Sequence, residues 1–310
     1  MKTFRVDYIR DGLVEEFHEG YYMLSSELYD TIPYYLRSCA KPLQATLLVD
    51  YGIDLADEEL ALCCGSHAGE ECHIRVARQI LDKFNIDEKY LKCGIHAPLS
   101  RTMQDKMLLR GEKPTAIHNN CSGKHIGFLV ICQTKGWDME TYDKPEHPLQ
   151  IAIKNKINIL TSLTRPMGEG WGEGATQPYP VTTDGCGVPI LSMPLKNMLM
   201  GYENLFQYKK IISAIKKYPY IFGGENRLDT EIITNSTDLI AKVGAGGLCI
   251  VFNVKTKEGF VVKINDCSME ARRFVVLELI NKLGWANIPL DKTIKTLHGQ
   301  IVGDVQIKFC

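Results

Sequence analysis

The residues His118-Asn119-Asn120-Cys121-Ser122-Gly123-Lys124-His125 place an imidazole, two amides, a thiol, a hydroxyl and an amine within one short stretch. An apolar run from Ile126 to Cys132 follows, and Gly136 closes it. The spacing predicts a buried helix with the polar cluster in its first turn. A helix N-terminus offers unpaired N–H groups and partial positive charge, which favour a thiolate, a carboxylate or an oxyanion. The same residues have a plainer reading, in which Ser122 caps the helix and Cys121 fills the core.

Three further groups have chemistry in their spacing. Ser38 and Lys41 stand three residues apart at a predicted helix start, so their side chains share one face. A serine hydroxyl is a weak nucleophile until a base takes its proton, and a lysine can be that base only when neutral. Taken alone, the pair also reads as a capping serine and a surface lysine with a buried stem. Lys242-Val243-Gly244 lies on a predicted strand, where a lysine amid Leu239, Ile240, Ala241 and Val243 is either edge-exposed or placed for a purpose. Gly244, Gly246 and Gly247 leave room for a ligand to approach the backbone. A Ser-x-x-Lys helix followed by a distant Lys-x-Gly strand is the pattern of the serine β-lactamase and penicillin-binding fold. Ser66, in Ser66-His67-Ala68-Gly69-Glu70, is a second serine on a break between helices, or ordinary turn chemistry. Cys121, Lys124 and Cys186 can form a three-ligand set that suits zinc, or two buried thiols and an amine placed for its charge.

The totals narrow the class. A chain of 310 residues with 45% hydrophobic and 24% charged residues can bury a sizeable core. A net charge of −1 gives no electrostatic case for nucleic acid or a membrane surface. No apolar run reaches the ~18 residues of a membrane span, and the start lacks a signal-peptide core. Eleven cysteines, several inside apolar helical runs, point to reduced thiols in the cytoplasm.

The elements that must position these groups follow from patterning. Strands are expected at 4–9, 13–17 and 21–24, with a turn at Arg10-Asp11-Gly12. Helices are expected from near Ser38, over 57–64, from Glu70, around 103–109 and from Pro148. One helical stretch is expected over 196–218 and another over 269–283. Between the helix from Pro148 and the stretch 196–218, residues 162–183 are rich in glycine and lead to the tight-turn sequence Asp184-Gly185-Cys186-Gly187. Strands at 239–243, 249–254, 260–264 and 300–308 complete the chain. The order implies an α+β fold: one antiparallel sheet from residues 1–36 and 236–310, packed by a helical subdomain of approximately 53–235.

In order along the chain, Arg37-Ser38-Cys39-Ala40-Lys41-Pro42-Leu43-Gln44-Ala45, Ser66-His67-Ala68-Gly69-Glu70, the stretch 118–125, Asp184-Gly185-Cys186-Gly187-Val188-Pro189 and Ala241-Lys242-Val243-Gly244-Ala245 resemble the successive blocks of one family. It is the bacterial L-asparaginase II family, the Rhizobium etli-type asparaginases, and the likeness spans nearly the whole chain. The resemblance implies a serine β-lactamase- and glutaminase-like fold and hydrolysis of L-asparagine to L-aspartate and ammonia. It implies two serine–lysine tandems, Ser38 with Lys41 and Ser66 with Lys242, and a zinc triad of Cys121, Lys124 and Cys186. Substrate contacts are expected from Arg37, His67, Asn120, Asp184, Gly185 and Gly244, with Arg37 on the α-carboxylate and Asp184 on the α-ammonium. The partner is a small amino-acid substrate, and a homodimer is compatible with the fold. Two departures stand out: a short segment before Arg37 and a long glycine-rich stretch. A glutaminase of the same fold and a zinc-containing amino-acid binder without catalysis are the alternatives. A penicillin-binding role fits less well, because Val243 replaces the usual threonine and no Ser-Asp-Asn block stands out.

Overall fold

The computed structural model describes residues 1–27, 31–161 and 180–310. Most of the glycine-rich stretch at 162–183 lies outside these residues.

The sheet begins with a hairpin, β1 (Lys2–Arg10) and β2 (Leu13–Leu24). Asp11 and Gly12 both take positive φ, 46° and 84°. A two-residue hairpin needs that backbone to match the strand twist, and Asp-Gly supplies it. The expected third strand at 21–24 is instead the continuation of β2. Gly20 permits this: a Cβ there would lie 2.2 Å from the Lys263 carbonyl oxygen and 2.5 Å from the Phe4 ring.

The other strands are β3 (Pro33–Tyr35), β4 (Val181–Thr183), β5 (Pro189–Pro194), β6 (Leu239–Gly244), β7 (Leu248–Asn253), β8 (Gly259–Ile264), β9 (Thr293–Lys295) and β10 (Ile301–Phe309). Seven form one antiparallel sheet in the order β6-β7-β8-β2-β1-β10-β9. The chain ends meet where β1 pairs β10, from Phe4 opposite Phe309 to Arg10 opposite Gly303. The architecture is therefore α+β, with an antiparallel sheet drawn from both ends of the chain.

The strand period of two sorts side chains to the two faces. Leu239, Ala241, Val243, Cys249 and Val251 pack on one face against the helix Met269–Lys282. Ile240, Ile250, Phe252 and Val261 point the other way, into the core built by the remaining helices. Lys242 alternates with Ala241 and Val243, so its amine is sent into that helical core.

The small sheet β3-β5-β4 has no counterpart in the sequence reading. Tyr35 pairs Ser192, and Leu36 N–H donates to the Leu191 carbonyl at 3.0 Å. These bonds clamp the approach to Arg37 against the segment following the turn at 184–187. The helical stretch expected over 196–218 is two helices, Leu195–Leu205 and Lys209–Lys217. Tyr208 breaks it with φ −95° and ψ 67°, and its hydroxyl bonds Asp50 at 3.0 Å.

Buried Asp7 bridges the meeting of the ends, accepting hydrogen bonds from Arg5 and from Lys308 of β10. The Lys308 hydrogen bond, aided by Arg5 and opposed by burial, holds the Asp7 carboxyl below its ordinary range. Its contribution is therefore complete above the unfolded carboxylate pKa of about 4 and fades as pH falls below it. Asp7→Asn should lower unfolding stability at pH 7 by roughly 1 kcal/mol, because both partners are solvent-screened. Urea titrations at pH 7 and pH 3 should show that difference shrinking in acid.

Candidate active site

The expected helix start near Ser38 is a 3-10 turn over Arg37–Ala40 running into the helix Lys41–Gln44. Pro42 occupies the first turn, where its missing N–H removes nothing. Arg37 enters the turn with φ +47°, a left-handed backbone that a non-glycine residue holds only at a cost. Clamping by the small sheet maintains it. Arg37 Nε donates to Asp184 Oδ1 at 2.7 Å, so the two groups expected at opposite ends of a substrate face each other.

Ser38 is half-buried, and its hydroxyl forms no hydrogen bond among the described residues. Lys41 is 1% exposed. Its Nζ lies 2.8 Å from Ser66 Oγ and 3.1 Å from the Asn120 carbonyl oxygen. Burial pushes the Lys41 amine down to about 8, helped by Lys242 and Lys124 and opposed by Cys121 and Cys186. A neutral amine is thus within reach at ordinary pH.

Ser66 is held from the other side. Its N–H donates to the Phe222 carbonyl at 2.9 Å. Gly65 presses against the same oxygen, where a Cβ would lie at 2.3 Å. The helix Ser122–Lys135 approaches the helix Asp57–Cys64 equally closely, since a Cβ at Gly123 would lie 2.4 Å from the Leu62 oxygen. The glycine between Ser122 and Lys124 is a packing requirement.

The polar stretch 118–125 divides its labour. Asn119 donates to the carbonyls of Cys93 and Gly94 and accepts from the Cys121 N–H at 2.8 Å. His67 has both ring nitrogens engaged: Nδ1 accepts from the Gly69 N–H, and Nε2 lies 2.9 Å from Ser122 Oγ. Burial holds its pKa well below the ordinary value, so the ring is neutral. Nε2 therefore carries the proton and donates to Ser122, which donates to the Ile117 carbonyl. The resemblance places His67 at the substrate; in the structure it is fully buried with both ring nitrogens engaged. Gly244, also expected at the substrate, is closely packed. It faces Cys39 Sγ, which a Cβ would meet at 3.1 Å, and its carbonyl accepts from Arg272 at 2.8 Å. Asn120 joins the site through its backbone carbonyl, while its side chain bonds His96. Gly185 is exposed with open space above it.

Cys121, Lys124 and Cys186 do converge. Lys124 Nζ lies 2.8 Å from Cys186 Sγ, and all three side chains are buried. Cys121 and Cys186 share a hydrogen bond and titrate in opposite directions. The bond from Cys186, reinforced by Lys41 and Lys124 against the cost of burial, pulls Cys121 well below an ordinary thiol. Bonding to Cys121, together with burial, drives Cys186 up. Burial disfavours charge on Lys124, but Cys186 and Cys121 outweigh it and the amine is raised. The two thiols are donors that zinc favours, whereas a lysine amine is an uncommon ligand and binds only when deprotonated.

The pairing of Ser66 with Lys242 is not what the structure holds. Lys242 Nζ bonds Asp229 Oδ2 at 3.2 Å and the Val243 carbonyl at 2.9 Å, whereas Ser66 has Lys41. Asp229 begins the helix Leu228–Thr234 beside β6, and both members of the pair are completely buried. Sequence reasoning did not find Asp229 as a partner of the site. An acidic residue in a first helical turn ordinarily answers the helix dipole, and nothing in Arg227-Leu228-Asp229-Thr230 signals a buried amine.

A buried amine on a buried hydroxyl, beside a strained turn with an unpaired serine, is equipment for breaking a stable bond. A family model described as L-asparaginase II matches residues 6–307, which places the molecule among amidohydrolases of the asparaginase type. The chain belongs to the L-asparaginase II family. No curated protein matched it.

Gly65→Ala should force Ser66 off Lys41 by driving a methyl into the Phe222 carbonyl. We expect about 1–3 kcal/mol of lost stability and a fall in turnover larger than any change in KM, read by thermal unfolding and steady-state kinetics.

Proposed function

We propose that this protein hydrolyses the side-chain amide of L-asparagine through a serine acyl-enzyme. The observation that carries the reading is the 2.8 Å contact of Lys41 Nζ with Ser66 Oγ, Lys41 directly following the turn that carries Ser38. Ser38 Oγ attacks the amide carbon and passes its proton to Lys41, which is held by the Asn120 carbonyl. A C–O bond forms and the carbonyl π pair moves to oxygen. As the C–N bond breaks, Lys41 returns the proton through Ser66 to the leaving nitrogen, which departs as ammonia. Water then adds to the ester carbon, gives a proton to Lys41, and releases aspartate and the Ser38 hydroxyl. Backbone N–H groups of the 3-10 turn suit the oxyanion, and one such donor is typically worth ~100-fold in rate.

Arg37 and Asp184 fit the rest of the substrate. An α-amino acid carries one carboxylate and one ammonium, and its entry exchanges one internal ion pair for two external ones. Cys121, Lys124 and Cys186 would hold a zinc ion once Lys124 sheds its proton. Such an ion supplies a Lewis acid that orients bound substrate. The architecture reads as serine β-lactamase- and glutaminase-like, with a helical part at 53–235 over the sheet. Support comes from the packing of the Ser-x-x-Lys turn on the Lys-x-Gly strand, where Cys39 Sγ lies 3.2 Å from the Lys242 carbonyl. Among the described residues no helix is long and apolar enough to cross a membrane. All eleven cysteines are unpaired, which supports a cytoplasmic setting.

Ammonia release from purified protein tests the reading. Ser38→Ala should cut kcat by at least about 1,000-fold; near-full turnover in that variant overturns the assignment. L-Asparagine and L-glutamine should differ by roughly 10–200-fold in kcat/KM, the span one methylene allows. Cys186→Ala should reduce bound zinc by elemental analysis and raise KM more than it lowers kcat.

A further inference from the structure

We propose that Asp229 is a positioning residue of the active site: it fixes Lys242 as a permanent ammonium that supports Ser66 through Phe222 and transfers no proton during the reaction. The geometry around Nζ points there. Its neighbours are the Asp229 carboxylate at 3.2 Å, the Val243 carbonyl at 2.9 Å and the face of the Phe222 ring, 5.3 Å to the centroid. All three accept; none donates. A neutral amine needs a donor, or water, for its lone pair, whereas an ammonium has three protons to place, and here there are three places. Lys41 differs, because its partner Ser66 can give a proton as well as take one.

Charge leads to the same assignment. The side chains that feel the Lys242 charge include Asp229, Lys41 and the thiols Cys39, Cys64 and Cys249. Burial pushes all three thiols up, so they stay neutral. Asp229 resists the upward push of burial because Lys242 and Arg227 outweigh it, and it remains a carboxylate. Asp229 is thus an anion in direct contact with Lys242. The consequence reaches the reaction through Phe222, whose ring rests on the ammonium and whose carbonyl holds the Ser66 N–H at 2.9 Å.

The test separates a fixed charge from a proton carrier. Arginine keeps the charge and cannot deprotonate; methionine removes it. With L-asparagine, Lys242→Arg should retain kcat within about 10-fold, while Lys242→Met should lose about 100-fold or more with KM little changed. The two variants being equally inactive, with native near-UV circular dichroism, overturns the proposal. Should either variant not fold, the Lys242 13Cε resonance of wild-type protein decides. An ammonium shift throughout pH 6–9 in wild type, with Asp229→Asn moving it toward that of a free amine, upholds the role. An amine shift in wild type at pH 7.5 overturns it. The kinetic arm rests on the amidohydrolase reading above. Absence of ammonia release from wild-type protein would sink that reading, while the resonance would still report the charge on Lys242.

Discussion

Burying an amine is the constraint from which the site is built. Lysine is almost never fully buried without a partner, because an ammonium out of water costs several kcal/mol. This molecule buries three of them, Lys41, Lys124 and Lys242, and answers each differently. Lys242 has a carboxylate. Lys124 has the thiols of Cys186 and Cys121. Lys41 has a hydroxyl and a carbonyl as hydrogen-bond partners, with Cys121 nearby. Of the three, Lys41 is the one hydrogen-bonded to a serine hydroxyl, a partner that can give as well as take a proton.

The rest of the fold serves to keep those solutions apart. The strand period sends Lys242 toward the helices instead of toward the outer helix Met269–Lys282. The helix Leu228–Thr234 lies beside β6 and brings Asp229 to meet it. Phe222 stands between, one face on the ammonium and its carbonyl on Ser66. On the far side, the small sheet β3-β5-β4 holds Arg37 in its left-handed turn opposite Asp184. Two glycines, Gly65 and Gly123, let backbones approach where any side chain would separate them. The site is therefore tight: the same contacts that bury the amines leave little play between Lys41 and Ser66.

Much of this was legible in the residues. Short, nearly continuous apolar runs marked β6, β7 and β8, because each strand separates two apolar layers. Asp11-Gly12 marked its hairpin, because both residues tolerate positive φ. The polar stretch 118–125 followed by an apolar run marked the helix whose first turn carries Cys121 and Lys124. What failed to show was local competition settled by tertiary contact. The break expected between 17 and 21 is absent, because Gly20 lets Phe4 and β8 close over β2. The stretch 196–218 kept its helical periodicity through Tyr208, although the backbone breaks there. His67 and Gly244 look available to a ligand, and only packing reveals that one is spent on Ser122 and the other on Cys39.

The sequence by itself determined the inventory: which hydroxyls, amines and thiols exist, on what elements, and on which side of a helix or strand each projects. It did so because those properties depend on backbone periods and on neighbours a few residues away. Only the tertiary structure decided the partnerships. Ser66 meets Lys41 across 25 residues and Arg37 meets Asp184 across 147, while Lys242 turns from the expected serine to Asp229. The physical reason is that a buried charge takes the best partner the whole fold brings within reach, and no local pattern specifies which one that is.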